Sequence, residues 1–96
     1  MITTDIKPVA GAFAENKDVA RDLRIKVLMP ALARGEIVTL NFVGVKGTTQ
    51  SFIHALISEA FRKYKDETLE RIFFKNCNQT MQKVITIVTE YMQEAE

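Results

Sequence analysis

Ser51 and His54 stand three residues apart in the run GVKGTTQSFIHAL, Gly44 to Leu56. On a helix that spacing is close to one turn, so a hydroxyl would lie beside an imidazole, the pairing that activates a serine nucleophile. A triad also needs a carboxylate to orient the base, and no acidic residue is near these two in sequence. The alternative, which the residues favour, is that His54 is an ordinary helix residue at the surface or partly buried. Gly44 and Gly47 follow an apolar run, as phosphate-binding glycines do. A P-loop, however, needs four residues between its glycines and then Lys-Ser/Thr, and a GxGxxG arrangement is also missing. One His and one Cys cannot build a metal site without distant carboxylates. No enzyme activity, cofactor or metal is expected.

What remains is the polar stretch Gly47-Thr48-Thr49-Gln50-Ser51 between two apolar segments. Thr48 or Thr49 can cap the following helix by accepting from its free N–H groups. Gly47 would permit a turn that a β-carbon opposes. Ser51 would then fall in the first turn, where those N–H groups and the helix dipole stabilise an anion. A phosphate on Ser51 would bring roughly 1.5–2 negative charges and remodel a docking surface. The same geometry at Thr48–Ser51, with His54, could instead hold a small anionic ligand or serve a small enzyme.

Those residues need a strand before them and a helix after them. The 96-residue length suits a single domain spanning residues 1–96, and 47% hydrophobic content supplies one core. Residues 1–9 read as an edge strand or strand end, because Pro8 lacks a ladder donor, and Ala10 to Glu15 as a loop. A helix follows from an Asn16 cap, with Asp18 in its first turn and Val19, Leu23, Val27 and Ala31 at helical spacing. Pro30 predicts a kink or a break near Met29, and Arg34-Gly35 an end. Residues 36–45 form the strongest strand signal, with Val38, Leu40 and Phe42 on one face. Ile37, Thr39, Asn41, Val43 and Val45 fall on the other, which predicts a central strand covered on both sides. A helix over about 50–64, a third strand over about 69–75 and a last helix over about 79–93 complete a β-α-β-α-β-α order. That alternation implies an α/β fold, a mainly parallel or mixed sheet of three to four strands packed with helices.

Charge is balanced, 13 basic against 12 acidic residues, so nothing calls for nucleic acid or anionic lipid. The stripe Lys17, Arg21, Arg24, Lys26 and Arg34 reads as a solvated face, with an acidic partner surface as the functional alternative. One cysteine excludes an intrachain disulfide. Asp5, Lys7 and Glu15 interrupt any signal-like apolar run, and no stretch is long enough for a membrane span. A cytoplasmic location is expected; the oligomeric state is not fixed by these features.

The run VTLNFVGVKGTTQSFIHALISEAF, Val38 to Phe61, resembles the core of the STAS-like domain family of bacteria, relatives of the anti-sigma-factor antagonists. That family has an apolar strand ending Asp-Phe-x-Gly-Val, a short polar turn, and Ser-Phe-x-x-x-Leu opening a helix. Here the counterparts are Asn41-Phe42-Val43-Gly44-Val45 and Ser51-Phe52 to Leu56, and IFFKNCNQTMQKVI, Ile72 to Ile85, is similar to the family's strand–Asn–helix segment. The resemblance implies a small non-catalytic domain that binds a protein partner, a histidine-kinase-like ATPase in the antagonists. There the ATPase phosphorylates a serine at this helix N-terminus and so releases the complex, which makes Ser51 the implied acceptor. The implied docking edge comprises Lys46, Gly47, Thr48, Thr49, Gln50, Ser51 and His54. The antagonists read Asp-Ser-Ser-Gly where this chain has Thr49-Gln50-Ser51-Phe52, and their strand aspartate is Asn41 here.

Overall fold

The computed structural model describes residues 1–94, so the expected domain end at residue 96 lies outside the described residues. The first half runs Ile2–Asp5 (β1), Lys7–Ala10 (α1), Phe13–Ala14 (β2), Lys17–Leu23 (α2), Met29–Ala33 (α3) and Val38–Asn41 (β3). The second half runs Gly47–Thr48 (β4), Gln50–Tyr64 (α4), Thr68–Arg71 (α5), Ile72–Lys75 (β5) and Gln79–Glu94 (α6). The strands β1, β3 and β5 pair in that order, all parallel, with Thr4 opposite Leu40 and Leu40 opposite Phe74. Because strand order follows chain order, right-handed crossovers place the connecting helices on one face of the sheet. α4 packs centrally in that layer, between α2 and α6.

The expected strand pattern is therefore half right at β3. Val38, Leu40 and Phe42 are fully buried, but the opposite face is open: Thr39 and Asn41 are half-buried, and Phe73 and Val43 stand exposed. The paired segment is four residues long, and its outward positions are Thr and Asn. The apolar residues that suggested a second covered face lie beyond it, where Val43 turns to solvent and Val45 turns into the core.

Other boundaries shift for local reasons. The edge strand covers Ile2–Asp5 and not residues 1–9, because Pro8 sits at the start of the short helix α1. A proline needs no N–H partner in a first turn, and its fixed φ suits one. The third strand starts at Ile72, not 69. Leu69 to Arg71 are helical, and the buried Thr68 hydroxyl donates to Ala60 O at 3.0 Å, holding that turn under α4. Pro30 neither breaks nor ends its helix. The preceding Arg24–Leu28 widens into a π-helical stretch, with Met29 N donating to Arg24 O, and the helix resumes as α3 with proline in its first turn. A widened turn is one of the few ways a helix passes a residue that lacks a donor.

Arg71 fastens the far end of the sheet. Its guanidinium donates to the carbonyls of Leu32 and Glu36 and to Glu67, and lies 5.1 Å from the Tyr64 ring centroid. It thereby ties the end of α3, where Leu32 O also accepts from Gly35 N, to the residue just before β5. Nearby, the Arg34 guanidinium hydrogen-bonds Glu36 and holds that carboxyl below its ordinary value. No helix among the described residues is long and apolar enough to cross a membrane.

Candidate functional site

α4 is pinned from within and open at its tip. Phe52, Ile53, Leu56 and Ile57 are fully buried, whereas Gln50 and Ser51 are exposed and His54 is half-buried. Thr49 is the cap: extended at φ −116° and ψ 159°, it accepts at its hydroxyl from Phe52 N at 3.1 Å and at its carbonyl from Ile53 N at 3.2 Å. Among the described residues no protein group accepts from the N–H of Gln50 or Ser51. These two donors point outward at the positive end of a 15-residue helix.

Thr48 has a different task. Its hydroxyl donates to Ala14 O at 2.8 Å, part of a short parallel ladder in which Phe13 opposes Gly47 and Ala14 opposes Thr48. Lys46 N donates to Ala12 O at 2.7 Å, and Asn78 at the start of α6 donates to Lys46 O at 2.8 Å. The turn before the helix is thus stitched to two distant segments. Gly47 is not the turn residue its place suggested, since it has no left-handed φ. The Phe13 ring lies against it, and a β-carbon there would come within 2.4 Å of a ring carbon. The left-handed position is Gly44, at φ +82°.

Asn41 closes the carboxyl end of the sheet. Its side-chain oxygen accepts from Asn76 Nδ2 at 2.8 Å and Val43 N at 3.2 Å, and its amide donates to Asp5 Oδ1 at 3.0 Å. All three strand ends meet on one amide. An aspartate at 41 would set a carboxylate against Asp5, a like-charge contact that disfavours ionisation of both.

Beside the α4 tip lies an open groove of about 420 Å³. Gln50, Ser51 and His54 line it from α4, and Ile87, Val88 and Tyr91 from α6, with Lys17 contributed by the start of α2. The Tyr91 ring centroid is 6.4 Å from that of His54, with the planes tilted by 57°. The groove therefore gathers Gln50, Ser51 and His54 of the expected edge. Lys46, Gly47, Thr48 and Thr49 form the stitched turn next to it, outside the lining. Sequence reasoning missed Ile87, Val88 and Tyr91 as site residues, and had Lys17 only as one member of the basic stripe. The one available signal was Ile87, an apolar residue off the buried stripe of the last helix.

Chemically the groove offers one cation, two free backbone donors, the hydroxyls of Ser51 and Tyr91, the Gln50 amide, an imidazole and an apolar wall, with no carboxylate in its lining. Among the described residues no hydrogen bond joins Ser51 to His54, and no group of three or more acidic, His or Cys side chains is placed to hold a metal ion. The basic stripe disperses. Arg24 folds inward, donating to Ala55 O at 3.0 Å while its Nε lies 3.3 Å from a Glu59 oxygen. That Nε is buried without a properly aligned acceptor, so its bond to Glu59 is ionic and not a directed hydrogen bond. Arg34 turns to Glu36, and of the stripe Lys17 lines the groove. Cys77 lies outside it, and burial pushes its thiol pKa up.

Comparison with protein families finds a match to the model described as a STAS-like domain of unknown function (DUF4325), over residues 19–82, two thirds of the chain. The matched span contains β3, the stitched turn, α4 and β5, the segments that carried the resemblance. No curated protein and no solved structure matches.

Proposed function

We propose that this chain, which belongs to the STAS-like domain family, is a non-catalytic regulatory module that docks a protein partner through the tip of α4. The observation that supports this most is the exposed Ser51 at the rim of a groove with an apolar wall and a single cation. A mixed surface of that kind suits a protein segment, where an apolar anchor supplies affinity and rim polar groups supply register. By analogy with the antagonists, the partner is a histidine-kinase-like ATPase, and phosphorylation of Ser51 is the release signal. Lys46, Gly47, Thr48 and Thr49 shape the approach to the groove, while Gln50, Ser51 and His54 make contact. The whole chain acts as one domain, with the cytoplasm as its setting.

The two unpartnered donors of Gln50 and Ser51 favour one second reading, a small anionic ligand held at Thr48–Ser51 with His54. Calorimetric titration against purified histidine-kinase-like ATPases separates the two. The docking reading expects one of them to bind, and Tyr91→Ala to weaken it about tenfold or more, as loss of an aromatic anchor does. Melting temperature should then be unmoved by phosphate, nucleotides or polyanions. A rise of several degrees with one of these, as a ligand far above its dissociation constant gives, together with no ATPase binding, would favour the anion site.

A further inference from the structure

α6 carries an apolar edge that the fold leaves unused. Ile87 is 49% exposed and Tyr91 61% exposed, one turn apart, with the half-buried Val84 beside them. Residues on a helix advance by about 100° each. With Ile87 as the midline, Val84 and Tyr91 fall on one side of it, and Lys83, Glu90 and Glu94 fall on the other. All three of these charged residues are exposed. The basic residue precedes the midline and the acidic ones follow it.

We propose that two copies of this chain associate through α6, antiparallel, about a two-fold axis at Ile87. In such a pair, residues at equal distances before and after the midline face each other, so every contact is made twice. Ile87 meets Ile87. Tyr91 of each copy covers Val84 of the other, since both lie on the same side at nearly equal distances. On the opposite side Lys83 meets Glu90, with Glu94 one turn further along. A parallel pair, whose two-fold runs along the helices, would set the charged side of one copy against the apolar side of the other, Lys83 against Val84 and Glu90 against Tyr91, so the two-sided pattern selects the antiparallel arrangement. This self-complementarity identifies the occupant as a second copy, in preference to an unrelated apolar partner. It needs no ATPase and does not depend on the docking reading. Tyr91 also walls the Ser51 groove, so the dimer and a docked partner compete for one side chain.

One 16-residue helix offers an interface at the small end of specific contacts, so a weak dimer is expected, with a dissociation constant on the order of 100 µM. Sedimentation equilibrium of the purified chain at low salt, from about 10 µM to about 1 mM, brackets that value. A monomer–dimer equilibrium is expected, abolished by Ile87→Glu and weakened about tenfold by Lys83→Glu, as a reversed close charge pair requires. Lys83→Glu combined with Glu90→Lys and Glu94→Lys should restore most of it. All four positions are outside the core, and circular dichroism verifies that each variant is folded. A monomer throughout the range, or a dimer indifferent to Ile87→Glu, overturns the proposal. Loss with Ile87→Glu but no response to the charge reversal or its compensation overturns the antiparallel arrangement.

Discussion

Phe52→Ala is expected to destabilise the chain by about 3–5 kcal/mol, the usual range for deleting a buried aromatic ring. A domain of this length commonly has about 5–15 kcal/mol in all, so the variant should sit at or near the edge of unfolding at 37 °C. The reason is positional. Phe52 is fully buried in the first turn of α4, and its N–H is the donor that Thr49 caps. Removing the ring therefore opens a cavity in the core at the capped end of α4. Urea unfolding followed by circular dichroism measures the change directly. A loss below about 1 kcal/mol would mean that Phe52 does not anchor this end of the core.

The neighbouring residue should behave in the opposite way. Ser51→Asp is expected to leave stability unchanged or raise it by about 0.3–1 kcal/mol, because a negative side chain in the first turn meets the positive end of the dipole. Ser51 is exposed and buries nothing, so no packing opposes the gain. Partner affinity should nonetheless fall by tenfold or more, equivalent to about 1.4 kcal/mol, since a fixed negative charge now occupies the rim facing Lys17. Ser51→Ala should bind like the wild type. A stable Ser51→Asp variant with undiminished affinity would leave a docking edge without a phosphate switch.

The family and the fold class could be read from the chain because they rest on local patterns. α4 shows why: a threonine cap, a polar first turn and apolar pairs at Phe52/Ile53, Leu56/Ile57 and Ala60/Phe61 all agree, and the helix spans Gln50–Tyr64 as expected. Asn16 and Asn78 likewise cap α2 and α6 through hydrogen bonds of 2.8 and 2.9 Å. The β2–β4 ladder could not be read, since two residues paired across a gap of 34 positions leave no periodic trace. The setting of Gly47 is illegible for the same reason, because what lies against it is the ring of Phe13, a non-local neighbour. The groove was half legible. Its α4 rim follows from sequence, but its wall depends on how α6 is rotated about its axis, which places Ile87 and Tyr91 outward. The open sheet face is a further case, as apolar residues flanking a short strand imitate a second buried side.

Amide mapping tests the central claim, that the α4 tip and its groove are the docking surface. The ¹⁵N-labelled chain, at a concentration low enough to be monomeric, would be titrated with the ATPase that binds it. The account predicts that the largest perturbations fall on Lys46 to His54 and on Ile87 and Tyr91. The open face of the sheet, around Thr39 and Phe73, should be left nearly still. Perturbations centred on that open face, with the amides of Gln50 to His54 unmoved, would contradict it.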